Sequence, residues 1–241
     1  MKPTERPFNS LPKPLLIGFM VILLVQVLVS HFSKSRGELA YHPLPEPLTA
    51  SVYRIASVGS DQLMSYLLAI RLQLHDNQLG KHIRYEQLDY PKLTRWLDQI
   101  NDLNIESEYP SMLASRVYSQ TTDKKKQREI IDFIQRRFTI NPQLNWRRMA
   151  EATILARHSV GDLELALLLA EQLSNQPVAI VMPFWARDMQ FILLGEMTKY
   201  EAGVTIIVAL LNSGIIDDPD EQRFLKATLL DFNQRLLESK K

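Results

Sequence analysis

The side chains best suited to hold a metal ion are the five histidines, at positions 31, 42, 75, 82 and 158. Only His75 and His82 lie near each other in the chain, with Asp76 beside the first of them. A metal site needs a third ligand at a suitable spacing, and the chain has neither an HExxH motif nor a cysteine. Gly80 is also expected to end the helix between the two histidines. The sequence therefore predicts no metal site and no cofactor.

Paired carboxylates could support acid–base chemistry of the kind that glycosidases use, and two pairs occur. Glu196 with Glu201, and Asp217 with Asp218, fall where helices are expected to end or begin. Acids at such positions usually cap free backbone amides. The motifs GxxxxGK[ST], GxGxxG and GxSxG are absent from the sequence. We therefore expect no catalytic residues. The alternative is an enzyme, or an enzyme accessory, that acts on a polymer such as a glycan.

Basic side chains cluster at Lys124–Lys126 with Arg128, at Arg136 with Arg137, and at Arg147 with Arg148. Such clusters could bind an anion or a lipid headgroup, but acids at positions 129, 132 and 151 dilute their charge. The formal net charge of the chain is only +1, without the basic excess typical of nucleic-acid binders. We therefore expect solvated surface at these clusters and no nucleic-acid partner.

The elements that must position these residues are predicted to be helices. From about Ser51 onward, apolar residues recur with helical period, and Gly and Pro fall mostly between the apolar runs. This pattern predicts an all-α domain over residues 51–241. The first helix is expected within 51–77, with an apolar stripe of Ile55, Leu63, Leu67, Ile70 and Leu74. Later helices are expected from Tyr90, from about Pro110, and over 128–138, 145–159, 162–174, 183–197, 199–212 and 218–238.

The segment Leu15–Phe32 carries no charged residue and is long enough, as a helix, to cross a bilayer. We expect a transmembrane helix at 15–33 after a cytoplasmic tail at 1–14. A cleaved signal peptide is the alternative, but the apolar run exceeds the usual length of about 7 to 15 residues, and no small-x-small site follows it. Three basic residues precede the segment and two follow it closely, which favours a cytoplasmic N-terminus. The bulk of the chain is then expected in the periplasm, anchored to a bacterial inner membrane.

Residues 34–50 are predicted to be a proline-rich linker between the membrane helix and the domain. The stretch YHPLPEPL, residues 41–48, has three prolines at alternate positions, which disfavour a helix. Two readings are open: an extended spacer that holds the domain off the membrane, or a surface loop that packs on the domain.

The predicted helices recur in pairs, at 110–141, 145–176 and 183–213, with a period of about 34 to 37 residues. In this region the chain resembles the tetratricopeptide-repeat (TPR) family, whose units are antiparallel helix pairs. The match is best at Gly161–Leu163 followed by Ala166 and, after an apolar run, Pro177. Weaker matches are Tyr200–Ala202 and the segment from Tyr118 to Pro142.

The resemblance covers about residues 110–213 and implies a TPR-like α-solenoid. The chain departs from the family pattern at Gln127, where a small residue belongs, and no first helix carries the complete aromatic-leucine-glycine-tyrosine set. A compact, irregular helical bundle is therefore the alternative. More broadly, the chain is similar to membrane-anchored bacterial TPR-like proteins of unassigned activity.

The stretch GDLELALLLAEQL, residues 161–173, is apolar on nearly every side. Such a helix must be covered on two faces, which predicts a place in the middle of the stack.

The tryptophans Trp96, Trp146 and Trp185 lie in or beside apolar runs, and we expect them to pack in the core. Because Trp146 and Trp185 each open a predicted repeat, the alternative is that they line a concave binding face.

An α-solenoid offers an extended groove for a peptide or a partner helix. The sequence therefore favours a membrane-tethered protein-interaction module, acting as an adaptor or assembly factor in the cell envelope. It does not identify the partner, the binding residues or the oligomeric state.

Overall fold

The computed structural model describes residues 13–34, 43–78, 81–177 and 179–239. The chain divides into two units, one containing helix α1 and the other containing helices α2 to α12. Most of the predicted tail at 1–14, residues 35–42 of the predicted linker, and Gly80 lie outside the described residues. Within the described residues the fold is all-α apart from one pair of two-residue strands, which confirms the all-α part of the predicted fold class.

The first unit contains α1 (Lys13–Lys34), a helix of 22 residues. The predicted membrane span at 15–33 lies within it, and the side chains from Leu16 to Ser30 are exposed. In the ranges that the structure describes, no helix combines the length and hydropathy needed to cross a membrane.

The second unit consists of eleven α-helices within its described residues, joined by short connections. They are α2 (Ala50–Ala56), α3 (Asp61–Asp76), α4 (Tyr90–Leu103), α5 (Tyr109–Arg116), α6 (Lys124–Ile140), α7 (Pro142–Leu155), α8 (Leu163–Ser174), α9 (Phe184–Arg187), α10 (Met189–Glu196), α11 (Tyr200–Asn212) and α12 (Pro219–Glu238). Strands β1 (Asn77–Gln78) and β2 (Lys81–His82) pair after α3. Short 3-10 helices span Tyr85–Gln87 and Tyr118–Gln120, and a π-helix spans Ala156–Val160 after α7.

Most helix starts follow from local sequence chemistry. A carboxylate or amide side chain accepts a hydrogen bond from a free amide of the first turn at five of them. The capping residues are Asp89 for α4, Asp123 for α6, Asn141 for α7, Asp162 for α8 and Asp218 for α12. Proline occupies the first turn of α4, α5, α7 and α12, where its missing amide has no intrahelical partner to lose. The predicted starts near Tyr90, Pro110, 162 and 218 are thus confirmed.

The first predicted helix differs from the structure in two respects. It is broken between α2 and α3, where Val58 and Gly59 have the positive φ angles 50° and 89°. The expected stripe of Ile55, Leu63, Leu67, Ile70 and Leu74 is exposed, at 50 to 83% of each residue, whereas Leu68 and Leu72 are buried. Helix α3 has apolar residues on two faces, and α4 covers only one of them. Periodicity could not indicate which face has a neighbour.

Consecutive helices pack as pairs, and the pairs stack. Helix α3 packs on α4, α5 on α6, α7 on α8, and α10 on α11. Between pairs, α6 and α5 both contact α7, and α8 contacts α9 and α10. Helix α12 packs on α11 at the end of the chain. This arrangement is compatible with a helical solenoid.

The helix at 163–174, α8, lies in the middle of the stack, as its sequence predicts. It packs on α7 and on both α9 and α10. Its buried residues, Ala166, Leu167, Leu169, Ala170 and Leu173, cover more than one side of the helix. Gly161 precedes it with φ 75°, a left-handed conformation that glycine adopts without a steric cost.

The described part of the proline-rich segment packs on the domain, consistent with the second of its two readings. The indole nitrogen of Trp96 on α4 donates a 2.8 Å hydrogen bond to the carbonyl of Pro45. Arg95 pairs with Glu46, and Leu44 is buried. Residues 43–49 thereby cover part of α4 that would otherwise face solvent.

Candidate functional site

One candidate site is a cleft of about 760 Å³ along one side of the stack. Its walls come from α5, from α7, and from the segment that leads into α9. The lining residues are Glu108, Arg116, Gln143, Leu144, Trp146, Arg147, Ala150, Glu151, Ile154, Val181, Met182, Pro183 and Trp185. No lining residue is a histidine, serine or cysteine.

Helix α7 forms the base of this cleft with one of its faces. Gln143 is followed by Trp146 and Arg147, then by Ala150 and Ile154, so that each residue has another of the set three or four positions away. Residues at these intervals lie on the same side of an α-helix. The opposite side of α7 contains Met149, Ala152 and Thr153, which are buried in the core. The core therefore fixes the orientation of the cleft face.

The wall opposite α5 is held by a pair of hydrogen bonds between a side-chain amide and the backbone. Gln143 accepts from the amide of Val181 at 2.9 Å and donates to its carbonyl at 3.4 Å. Arg187 fastens the same loop from the other side, because it donates to the carbonyls of Gln176, Pro177 and Ile180. The segment 181–183 is therefore positioned without being part of a helix.

Two tryptophans meet in the cleft. The rings of Trp146 and Trp185 lie 5.9 Å apart, centroid to centroid, in an edge-to-face arrangement. The guanidinium of Arg147 lies over the Trp146 ring at 5.2 Å from its centroid. Trp185 is 49% exposed, whereas Trp96 is 1% exposed. The prediction of core packing is therefore confirmed for Trp96 and wrong for Trp185, whereas Trp146 is partly buried.

An ion-pair network fixes the α5 side of the cleft. Glu151 on α7 pairs with Arg116 on α5 at 2.8 Å and with Arg148 at 2.8 Å. Arg148 is buried and also reaches Glu108 at 3.4 Å. Burial of Glu151 alone would raise its pKa, but hydrogen bonds from Ser115, Arg116 and Arg148 outweigh that effect and hold the pKa below its ordinary value. Glu151 is therefore ionised and committed to its arginine partners at neutral pH.

The cleft offers aromatic, aliphatic and cationic groups for binding. Trp146, Trp185, Ile154 and Val181 provide an apolar surface, and Arg147 is exposed. Within the described residues, no carboxylate forms a salt bridge with Arg147, so its charge is free to meet an anionic group. This combination suits an extended peptide with apolar side chains and an acidic group.

The other residues singled out by their chemistry are part of the helical framework. Glu196 pairs with Arg157 at 2.7 Å, and Asp218 caps α12 through a 2.8 Å hydrogen bond from the amide of Asp220. Glu201 lies in the first turn of α11. Glu196 and Asp218 therefore act in an ion pair and in a helix cap. The side chains of His31, His42 and His82 lie outside the described residues, and the residues that are described contain no cluster of three potential metal ligands.

Four of the eight residues in the basic clusters, Arg128, Arg136, Arg137 and Arg148, pair with acids among the described residues, but not with the acids at 129 and 132. Arg128 pairs with Asp162 at 2.7 Å, and Arg136 with Asp98 at 3.2 Å. The buried Arg137 contacts both Asp98 and Asp102. These partners lie 34 to 39 residues away in sequence, on the neighbouring helix pairs. Counting charges along the sequence therefore predicts that acids neutralise part of the positive charge. It does not identify the distant acids that do so.

Trp146 and Trp185, which the sequence offered as an alternative concave face, both line the cleft, but the rest of its lining was not expected. The available signal was the run of Gln143, Trp146, Arg147, Ala150 and Ile154 at helical spacing on α7. No signal in the sequence could reveal the pairing of Gln143 with Val181, because the two residues are 38 positions apart. Comparison of the chain with protein-family models, with curated proteins and with solved structures gave no match.

Proposed function

We propose that this protein is a membrane-tethered, TPR-like protein-interaction module that acts as an adaptor or assembly factor in the bacterial cell envelope. The observation that carries the proposal is the cleft of α5, α7 and α9, with its exposed Trp185, its apolar groups, and Arg147, which has no carboxylate partner among the described residues. Helix pairs stacked in one direction present one helix of each pair to a common groove. A peptide segment of a partner would lie along that groove.

The type of partner follows from the lining of the cleft. The edge-to-face tryptophans can enclose an apolar or proline side chain of a bound peptide. Contacts with such aromatic anchors usually contribute most of the affinity. The guanidinium of Arg147 can form a charge-assisted hydrogen bond with an aspartate, a glutamate or a C-terminal carboxylate. We therefore propose an extended peptide that combines an apolar anchor with a nearby carboxylate.

The proposed tether is the apolar segment at 15–33. It has no charged side chain and is long enough for a hydrocarbon core of about 30 Å. The domain would then be periplasmic, with residues 1–14 in the cytoplasm. Alkaline phosphatase and green fluorescent protein, each fused after Lys241, test this arrangement. We expect phosphatase activity without fluorescence, and a fluorescent fusion would contradict the periplasmic location.

Site-specific crosslinking tests the cleft. A photoreactive amino acid at Ile154, in the full chain in its native membrane, should capture a defined protein partner. The same group at Leu237 on α12, which is also exposed, is the matched control and should not capture that protein.

Substitutions test the same cleft from the other direction. Trp185→Ala and Arg147→Glu should each reduce capture at Ile154 by at least fivefold. Leu237→Ala and Arg223→Glu, at exposed positions of α12, should leave it unchanged. If neither cleft variant reduces capture at Ile154, the assignment of this cleft as the partner-binding site is contradicted. A glycan fragment bound at Ile154 instead of a protein would favour the enzyme-accessory alternative.

A further inference from the structure

One apolar face of α3 is exposed, and no helix among the described residues of the second unit covers it. It comprises Leu63, Tyr66, Leu67, Ile70 and Leu74, and we call it the α3 face. Each of these side chains is at least half exposed, although Leu68 and Leu72 on the other side of the same helix are buried. Arg71 is the one exposed charged residue of α3.

The helices at the two ends of the stack differ in the polarity of their outer faces. Helix α12, at the C-terminal end, presents exposed Lys226, Asp231, Gln234 and Arg235 to solvent, together with isolated leucines. The terminal helices of helical stacks usually need such a polar outer side for solubility. Helix α3, in the first pair, lacks one. Its outer face instead resembles the apolar contact surface between neighbouring helices within the stack.

The spacing within the α3 face makes it complementary to itself. Leu63, Leu67, Ile70 and Leu74 are separated by intervals of four, three and four residues, and this order reads the same in both directions. In an antiparallel pair of α3 helices related by a two-fold axis, Leu63 therefore meets Leu74, and Leu67 meets Ile70. An interface between identical subunits with two-fold symmetry requires this kind of self-complementarity.

The charges are compatible with the same register. Tyr66 of one copy then lies at the same level as Arg71 of the other, and the guanidinium of Arg71 is held at the edge of the face, 5.5 Å from the centroid of the Trp96 ring in its own chain. The two Arg71 side chains are separated by about 7.5 Å along the helix axis, at about 1.5 Å per residue. No other charge is brought into the contact by the exposed residues of α3.

The size of the face indicates how strong such a contact can be. Each half-exposed side chain offers on the order of 100 Å². Five of them give about 500 Å² per copy, or about 1,000 Å² in total, near the lower limit of specific interfaces. From these observations we propose that the chain forms a reversible homodimer through antiparallel packing of α3 against α3. This proposal depends neither on the cleft nor on the membrane tether.

Sedimentation velocity of the full chain in detergent, from 5 to about 100 µM, tests the proposal. We expect a monomer–dimer equilibrium for the wild type and a loss of dimer of at least tenfold in association constant for Leu67→Lys. Leu230→Lys, at an exposed leucine of α12, is the matched control and should dimerise like the wild type. A wild-type chain that stays monomeric, or a Leu67→Lys variant that still dimerises, would overturn the proposal.

A charge pair tests the register. In the double variant Leu67→Lys with Ile70→Glu, each lysine meets a glutamate of the other copy, so dimerisation should be restored at least in part. If the single variant loses the dimer and the double variant does not recover it, antiparallel packing is contradicted. If Leu67→Lys has an altered circular dichroism spectrum, Leu74→Lys replaces it as the single variant.

A fluorescent label identifies what covers the face. Because the chain has no cysteine, Leu63→Cys accepts a single environment-sensitive fluorophore. A blue shift that grows with protein concentration supports the dimer. A shift that is independent of concentration would mean that another segment of the same chain covers the face. A shift that depends only on added phosphatidylglycerol vesicles would mean that a lipid surface does. Either of these two results overturns the proposal.

Discussion

At the scale of single residues, Asp188 is a buried carboxylate whose surroundings raise its pKa. It lies between α9 and α10, is buried, and its Oδ2 atom has no hydrogen-bond partner among the described residues. Burial is the main cause that raises its pKa to about 7, and the negative charge of Glu221 adds to this, while Arg187 opposes it. The pKa of Glu221 is also raised, by burial first and then by Asp218. Asp188 therefore takes up a proton near neutral pH.

The raised pKa of Asp188 predicts a pH-dependent stability. The folded chain binds this proton up to about pH 7, whereas an unfolded chain with the ordinary pKa of 3.8 releases it earlier. The free energy of unfolding should therefore fall as pH rises from about 4 to about 7. At about 1.4 kcal/mol per pKa unit, the full shift corresponds to at most about 4 kcal/mol.

Asp188→Asn removes the titrating group and tests this prediction by urea denaturation at several pH values. At pH 8 the variant should unfold at a higher urea concentration than the wild type, with a free energy of unfolding that is larger by about 1 to 3 kcal/mol. At pH 4 this difference should disappear. Asp217→Asn, at an exposed acid before α12, is the control. Equal stability of wild type and Asp188→Asn across this pH range would show that Asp188 has an ordinary pKa.

At the scale of elements, the contact between α11 and α12 depends on a missing side chain. A methyl group on Gly203 would lie 2.3 Å from the Cε2 atom of Phe232, and one on Gly195 would lie 3.1 Å from Cε1 of the same ring. The Phe232 ring is buried and packs on Tyr200 with a centroid distance of 5.4 Å. The two glycines thus let α10 and α11 approach this ring closely.

Gly203→Ala should therefore destabilise the protein, by about 1 to 3 kcal/mol, even though alanine favours a helix. Thermal denaturation of the single variant and of Gly203→Ala with Phe232→Leu measures the effect. The smaller leucine should make the alanine less harmful, so that the two changes are not additive. Additive effects would indicate that Gly203 and Phe232 do not share a contact.

Helix α8 provides the second test at this scale. Ala166 is completely buried, so Ala166→Leu should lower the free energy of unfolding by about 1 to 3 kcal/mol through overpacking. Glu171→Leu places a leucine on the exposed side of α8 and should change the free energy of unfolding by less than about 0.5 kcal/mol. Equal denaturation midpoints for the two variants would contradict the burial of α8 between its neighbours.

At the scale of the whole molecule, a stack of helix pairs gains its stability from neighbouring contacts, and its ends have fewer of them. Helix α7 packs on α5, α6, α8 and α9, whereas the main contact of α12 is with α11. Hydrogen exchange measured by mass spectrometry should therefore show slower exchange in α7 and α8 than in α12. Uniform protection from α4 to α12 would instead favour a single cooperative bundle.

The features that the sequence determined by itself are those governed by residues close together in the chain. Helical period, capping side chains such as Asp89 and Asp162, and early prolines predicted most helices and their starts, because these interactions act within one or two turns. The apolar character of residues 161–173 likewise predicted a helix covered on two sides. The grouping of helices into pairs follows from the same local signals.

Only the tertiary structure decided which faces meet. Two apolar patterns with helical period had different outcomes. The stripe on α3 was expected to be buried and is exposed. The face of α7 that includes Trp146 forms the base of a cleft. The sequence cannot distinguish these cases, because burial depends on a neighbour that is distant in the chain. The same reason hides the pairing of Gln143 with Val181 and of Arg137 with Asp98, which join different helix pairs. The candidate cleft and the α3 face are thus products of stacking, whereas the helices that carry them are products of local sequence.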